Sequence, residues 1–178
     1  SSGGAGAALA AGTTPLATGS DIAGSTRIPA SCSGVVGFKP PKGRTPVDPP
    51  FNLDSFCHTG PMARSVSDTI LFQNALAGPH PGDPTTLRPK LRIPEDAAPI
   101  RGWKIAWSMD LGLFPVDPDV VANTHAALDV FRDLGCHLTE VALPRGPEVL
   151  SAASTYLEHI FGTSIAALLE DHGDDLTP

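Results

Sequence analysis

The sequence predicts an α/β fold, and three observations support this class. A strand–helix–strand pattern with short links runs from residue 103 to residue 141, which favours two parallel strands joined by a helix. Two further segments, at residues 5–11 and 65–75, have the composition or the apolar spacing of helices. Glycine and proline together make up about a fifth of the 178 residues, against roughly 12% on average, so turns and loops occupy much of the chain.

The first 50 residues are rich in serine, glycine, alanine and proline. Strong helix formers at residues 5–11 predict a short helix, which ends before Pro15. The apolar run at residues 35–38 predicts a short buried strand. Lys39 and the two prolines after it end that strand.

The next helix is predicted from its first residue and from the spacing of its apolar side chains. Ser65 is a suitable N-cap, and Gly78 followed by Pro79 marks the end of the helix. Four apolar residues fall on one helical face: Val66, Ile70, Leu71 and Ala75. The proline-rich residues 79–99 are predicted to be a connector without regular structure.

The remainder of the chain predicts a β-α-β unit followed by another helix. Residues 103–107 and 137–141 are the two strands, and Asp117 with Pro118 provides an N-cap and a first helical residue between them. Gly135 ends that helix, and residues 151–169 form an amphipathic helix. We therefore expect one domain over 1–178, made of a Ser/Gly-rich core at 1–50, the connector at 79–99, and the β-α-β unit plus helix at 100–178.

Composition and charge exclude several classes of protein. The net charge is −7 and the pI is about 5.2, which disfavours direct binding to nucleic acid. No run of about 18 apolar residues is present, so we expect neither a transmembrane helix nor a membrane partner. Cys32, Cys57 and Cys136 are far apart and form no C-x-x-C pair, which predicts neither a disulfide framework nor a zinc site. A reducing, cytoplasmic location is the expectation.

Several common catalytic motifs are absent, and a dense serine and glycine pattern remains. The chain contains no G-x-G-x-x-G, no P-loop lysine, no G-x-S-x-G and no H-E-x-x-H. In the run from Gly19 to Ala30, small residues precede Ser25, so a substrate carbonyl can approach the backbone N–H groups and have its oxyanion stabilised there. A serine nucleophile also needs a base, which is a histidine, a lysine, or a second serine that relays to a lysine. The alternative from the pattern alone is that these residues only form tight turns.

The run from Ser1 to Arg44 closely resembles the amidase signature family. It reads SSGG and then ALAAGTTPLATGSDIAGSTRIPASCSGVVGFKPPKGRTP, which follows the family's S-S-G-G, G-S-D-x-G-G-S-I-R-I-P and K-P-T-x-G-R elements without a gap. The later segment GPMARSVSDTILFQNALAGPHPGDP is similar to the family as well. The resemblance implies the amidase-signature fold, a mixed sheet flanked by helices, which this chain would contain in a form incomplete at both ends.

The resemblance also implies a Ser–cis-Ser–Lys triad that cleaves or transfers amides. By position, Ser25 is the nucleophile and Ser1, 24 residues earlier, is the bridging serine. The N–H groups of Ile22, Ala23, Gly24 and Ser25 form the oxyanion hole. The family lysine lies upstream of Ser1, outside this chain. The implied substrate is a small-molecule amide with a non-peptide carbon–nitrogen bond, no cofactor or metal is implied, and a homodimer is one candidate assembly.

The sequence departs from the family pattern at a few positions. Ala23 replaces the usual glycine, Thr26 replaces a common isoleucine, and Cys32-Ser33 stands where Phe-Cys is frequent. Lys39 and Lys42 belong to the K-P-x-x-G-R turn, so we expect structural roles for them rather than the role of the missing base. We also expect Asp21 and Arg27 to brace the serine loop. The histidines are expected at the surface or in packing contacts: His58, His80, His125, His137 and His159.

Two alternatives to an amide hydrolase follow from the same resemblance. One is an amidotransferase A-type subunit, which releases ammonia for a second site within a complex. The other is a truncated, non-catalytic remnant of an amidase. In either case we expect these 178 residues alone to be inactive, because only two of the three triad groups are present.

Overall fold

The chain folds as two units, Ser1–Ala97 and Ala98–Pro178, in a computed structural model. The structure describes residues 2–143, 146 and 148–175, without the side chains of residues 164, 167 and 170. Helices occur together with antiparallel and parallel strand pairs, which confirms the predicted α/β class. One domain over residues 1–178 stays a prediction.

The first unit is built around strand β3. In chain order it contains α1 (Gly3–Ala10), β1 (Leu16–Asp21), α2 (Arg27–Ser33), β2 (Val36–Gly37), β3 (His58–Ala63) and α3 (Val66–Leu76). Strand β3 pairs antiparallel with both β1 and β2, so the strand order is β1-β3-β2. Gly19 lies opposite Gly60, and Asp21 lies opposite His58 at the end of β1. The chain leaves the sheet at Asp21 and reaches α2 through a five-residue loop.

The apolar core of this unit joins two helices to the sheet. Leu9 of α1, Ala30 of α2 and Met62 of β3 are buried and pack together. The predicted helix at residues 5–11 is confirmed as α1. The predicted strand at residues 35–38 is confirmed as the shorter β2, but it is half-buried rather than buried, because in the described sheet it pairs with β3 on one side only.

Helix α3 begins at the predicted cap but buries a polar face. Ser65 Oγ accepts a hydrogen bond from the N–H of Asp68, which confirms the N-cap. The buried side chains are Thr69, Gln73 and Asn74. Val66 and Leu71 of the predicted apolar face are 62% and 60% exposed. Amide groups of this face have partners in the unit: Gln73 Nε2 donates to Thr45 Oγ1, and Asn74 Nδ2 donates to the carbonyl of Ile93.

The second unit has the predicted strand–helix–strand order. It contains β4 (Lys104–Trp107), α4 (Pro118–Asp133), β5 (His137–Glu140) and α5 (Glu148–His172). Strands β4 and β5 are parallel, with Lys104 opposite His137. The Asp117 side chain caps α4 through the N–H of Asp119. In the part of the chain that the structure describes, no helix combines the length and apolarity needed to cross a bilayer.

Replacement of Gly60 by alanine is expected to destabilise the first unit. A Cβ at Gly60 would clash with the carbonyl oxygen of Phe38 and would lie 2.9 Å from Pro40 Cδ, so β3 and the segment of Phe38 and Pro40 would have to separate. We expect the free energy of unfolding to fall by about 2–3 kcal/mol. Thermal unfolding of the complete protein measures the change. Gly4→Ala is the control, because a Cβ there meets nothing within 4 Å and alanine favours a helix; equal stability of the Gly60 variant and wild type would refute the prediction.

Candidate active site

The predicted site residues lie in the loop between β1 and α2. Ile22, Ala23, Gly24 and Ser25 follow one another directly after β1; Ser25 is half-buried and Ala23 is exposed. The carbonyl of Ser25 accepts a hydrogen bond of 3.1 Å from the N–H of Ser2, which ties the loop to the start of α1. Ser1 lies outside the described residues, so its bridging role stays a prediction.

A single buried carboxylate, that of Asp21, holds this loop. Its side chain is fully buried. Asp21 Oδ1 accepts from the N–H of Gly24 at 2.8 Å, and Oδ2 accepts from the N–H groups of Thr26 and Arg27 at 3.3 Å each. Arg27 also donates to both carboxylate oxygens at 2.9 Å, and Lys39 Nζ donates to Oδ1 at 3.1 Å. The expectation that Asp21 and Arg27 brace the loop is confirmed.

These contacts also fix the protonation state of Asp21. Burial by itself would raise the pKa of the carboxyl group. The hydrogen bonds from Arg27 and Lys39, and those from the backbone of Gly24 and Arg27, outweigh burial and hold the pKa well below its usual range. Asp21 is therefore an ionised acceptor at neutral pH, and all of its contacts serve to hold the loop.

The backbone N–H groups of the loop fall into two sets. The N–H of Gly24 is used by Asp21. The N–H groups of Ile22, Ala23 and Ser25 form no hydrogen bond with any residue that the structure describes. Free N–H groups on successive residues are suited to hold an oxyanion. The N–H of Gly24 already has Asp21 as its acceptor, so it is not a free donor in this structure. The assignment of all four residues to the oxyanion hole stays a prediction.

The loop requires glycine at position 24 but not at position 23. Gly24 has φ = +117°, and a Cβ there would lie 2.6 Å from Ile28 Cδ1. Ala23 is exposed and does not have a positive φ. The alanine at position 23, which departs from the family pattern, is therefore compatible with the loop conformation.

The two lysines of the K-P-x-x-G-R turn fix loops, as expected. Lys39 Nζ donates to Asp21 Oδ1 and also, at 3.0 Å, to the carbonyl oxygen of Ile22. Lys42 Nζ donates to the carbonyls of Asn52 and Asp54 at 2.7 and 2.6 Å. The pairing of Lys39 with Asp21 was missed in the sequence. Asp21 could have indicated this contact, because a carboxylate that is buried needs a cation close to it.

The histidines make local contacts or are exposed. His58 Nδ1 lies 2.6 Å from Pro40 O, and its Nε2 lies 3.2 Å from Ser55 O. The ring of His125 packs edge-on against Trp107. His80, His137 and His159 are exposed, as expected, and so is His172. Over the described residues, no group of three His, Cys, Asp or Glu side chains could hold a metal ion.

The fold and the loop belong to one known class of protein. Residues 1–173 match the family model described as Amidase, so the chain belongs to the amidase family. This finding confirms the resemblance to the amidase signature family.

Individual relatives and a solved structure agree with this assignment. The chain is 42% identical over 139 residues to an acylamidase of Rhodococcus erythropolis, covering 76% of this chain and 29% of that protein. It is 41% identical over 157 residues to the A-type subunit of the glutamyl-tRNA(Gln) amidotransferase of Thermus thermophilus, covering 85% and 32%. The structure of a bacterial aryl acylamidase of the amidase signature family superposes with a TM-score of 0.84 and 32% identity, covering 98% of this chain and 38% of that one. The chain thus spans about a third of the length of the relatives that it matches.

Proposed function

We propose that this chain carries the nucleophile of an amide hydrolase that acts on non-peptide carbon–nitrogen bonds of small molecules. The observation that carries the proposal is the loop after β1. Ser25 follows two residues, Ile22 and Ala23, whose N–H groups have no acceptor among the described residues, and the buried Asp21 holds the whole loop. Membership of the amidase family supports a hydrolase of this class. We further propose that the protein works in the cytoplasm, and that a homodimer is the assembly to test by light scattering.

The proposed reaction begins with attack of Ser25 Oγ on the amide carbon. The proton of Ser25 Oγ passes to the hydroxyl of Ser1, whose own proton passes to a neutral lysine upstream of this chain. The N–H groups of Ile22, Ala23 and Ser25 hold the oxyanion of the tetrahedral intermediate. The relay returns a proton to the nitrogen, the C–N bond breaks, and the amine leaves. Water then cleaves the acyl-Ser25 ester along the same relay.

The charges beneath the loop favour this reaction. Asp21 carries one negative charge, while Arg27 and Lys39 in contact with it carry two positive charges. The cluster therefore has a net positive charge close to the free N–H groups. A net positive charge at this position stabilises an oxyanion that forms on the substrate.

An amidotransferase A-type subunit is the second candidate function. It is favoured by the 41% identity to the Thermus thermophilus protein, which is almost the same as the identity to the acylamidase. In that case the amine released at Ser25 is ammonia, and turnover depends on a partner protein that consumes it. Steady hydrolysis of simple amides by the purified protein without partners favours the hydrolase. A truncated, non-catalytic remnant is the third alternative. It would show neither hydrolysis of simple amides nor release of ammonia to a partner.

Labelling with a serine-directed fluorophosphonate probe tests the proposal. In the complete protein that contains this chain, we expect stoichiometric labelling at Ser25, located by peptide mass spectrometry, and protection by amide substrates. The 178 residues alone should label far more slowly, because the serine hydroxyl lacks its base. Labelling of Ser67, which is exposed on α3, serves as the background level. A labelled complete protein in which Ser25 is unmodified would contradict the proposal.

A further inference from the structure

Thr26, the residue after the proposed nucleophile, contains a buried hydroxyl without a hydrogen-bond partner among the residues that the structure describes. Its side chain is fully buried, and its Oγ1 is one of the unpartnered buried atoms of the described chain. Its backbone is satisfied, because its N–H donates to Asp21 Oδ2 and its carbonyl accepts from the N–H of Ala30. An unpartnered buried hydroxyl is unfavourable and rare, so it calls for a reason.

The Thr26 side chain lies close to two glycines, which shows the direction in which each of its groups points. A Cβ at Gly37 would lie 3.4 Å from Thr26 Cγ2, so the methyl group faces β2. A Cβ at Gly19 would lie 2.6 Å from Thr26 Oγ1 and 3.0 Å from Ser2 Oγ. The hydroxyls of Thr26 and Ser2 therefore both face Gly19, close enough together for one donor to bridge them.

These two hydroxyls belong to the two segments that must work together. Ser2 follows the proposed bridging serine, and Thr26 follows Ser25. The N–H of Ser2 donates to the carbonyl of Ser25. Among the described residues, Ser2 Oγ makes one long contact, of 3.4 Å with Ser20 O. Both hydroxyls thus retain capacity to accept a further hydrogen bond beside the nucleophile.

We propose that Thr26 is a positioning residue for acyl transfer at Ser25. Its hydroxyl and Ser2 Oγ each accept a hydrogen bond from one enclosed water molecule, and this water holds the Ser2 and Ser25 segments in register. The Thr26 side chain is fully buried, so a group from outside the described chain has no surface on it to contact. The inference rests on the proposed function, since it requires Ser25 to be the nucleophile.

The variants Thr26→Val and Thr26→Ser in the complete protein test this role. Valine keeps the shape and removes the hydroxyl, so kcat for amide hydrolysis should fall roughly 10- to 100-fold with little change in KM, as for a small misplacement of reacting groups. The Tm should change little, because valine keeps the shape of the side chain and the released water regains its hydrogen bonds in solvent. Thr26→Ser keeps the hydroxyl and should retain most of kcat. Wild-type kcat in Thr26→Val would overturn the inference, and so would a lower Tm with no recovery of kcat in Thr26→Ser.

The pH profile of kcat/KM tests whether the donor is uncharged. Loss of a hydrogen bond from water leaves the charge of the relay unchanged, so kcat should fall while the acid limb stays in place in Thr26→Val. An acid limb that moves to lower pH would show a charged donor and would overturn the inference. The variant Ser25→Ala separates the two claims. If it retains activity, the proposed function fails, whereas an inactive Ser25→Ala beside a fully active Thr26→Val refutes only the role of Thr26.

Discussion

Replacement of Ser25 by alanine in the complete protein is expected to lower kcat for amide hydrolysis by roughly 10⁴-fold or more. The reason is that the hydroxyl supplies the atom that forms the acyl bond, and the members of a triad act as a unit. The structure should be retained, because the contact that Ser25 makes with Ser2 uses its backbone carbonyl. Steady-state kinetics with a panel of small amides, together with thermal unfolding, measures both effects.

Ser67→Ala is the matched control for this prediction. Ser67 is exposed on α3, so its removal should leave kcat within a factor of about two and the Tm unchanged. Turnover by Ser25→Ala within tenfold of wild type would exclude Ser25 as the nucleophile. An inactive variant with a strongly lowered Tm would show that the side chain is structural instead.

Replacement of Asp21 by alanine is expected to cause the largest loss of stability in the first unit. Removal of the carboxylate leaves Lys39, which is 16% exposed, without its counter-charge, and leaves the N–H groups of Gly24 and Thr26 without an acceptor. A loss of about 3–5 kcal/mol is typical when one member of a buried ion pair is removed. The Arg27 side chain is 53% exposed and contributes little of this. Denaturant unfolding of the complete protein measures the change.

Asp129→Ala provides the control, since it also removes a carboxylate paired with an arginine. The side chains of Asp129 and Arg132 are 67% and 50% exposed, so the loss should stay below about 1 kcal/mol. Asp21→Ala should also lose amide hydrolysis, because the N–H groups that hold the oxyanion are no longer fixed. If Asp21→Ala is as stable and active as Asp129→Ala, the carboxylate does not hold the loop.

The low pKa of Asp21 gives this stability a defined pH dependence. A carboxyl group whose pKa is lower in the folded protein stabilises it fully above its unfolded pKa of about 3.9, and the stabilisation is lost as pH falls below that value. The pKa of Asp83 is also lowered, since its hydrogen bonds to Val47 and Thr85 outweigh the effect of burial, and it acts in the same pH range. Asp21→Asn should therefore flatten, without abolishing, the decline of stability below pH 4. An unchanged slope would show that Asp21 is not held in its ionised form.

The elements that were predicted correctly are those with local signals. Ser65 and Asp117 cap α3 and α4 as their positions suggest, and the strand–helix–strand order with short links indicated the parallel pairing of β4 and β5. Strands β1 and β3 have no such signal, because LATGSD and HTGPMA contain glycine and proline. They are stabilised by pairing with each other, including the contact of Gly19 with Gly60, which periodicity does not reveal. Helix α2 was also missed, because a proline such as Pro29 is unusual inside a helix. It is tolerated here because it is the third residue of α2, where no intrahelical N–H bond is needed.

The candidate site was predictable in part for similar reasons. The motif around Ser25 identified the loop, and the short separation of Asp21 and Arg27 made their contact a reasonable expectation. Lys39 is 18 residues from Asp21, and only the pairing of the strands brings the two together. The surroundings of the Thr26 hydroxyl depend on the close approach of Gly19 and Gly37 to Thr26, which is a property of the packed sheet.

The most direct test of the proposed nucleophile is detection of the acyl-enzyme during turnover. The complete protein is mixed with a small amide, quenched in acid within milliseconds to seconds, digested and analysed by mass spectrometry. The peptide that contains Ser25 should gain the mass of the acyl group, and this species should decay as substrate is consumed. It should be absent in Ser25→Ala and present in Ser67→Ala. An acyl group on another residue, or turnover in which trapping with hydroxylamine gives no acyl transfer from Ser25, would contradict the account.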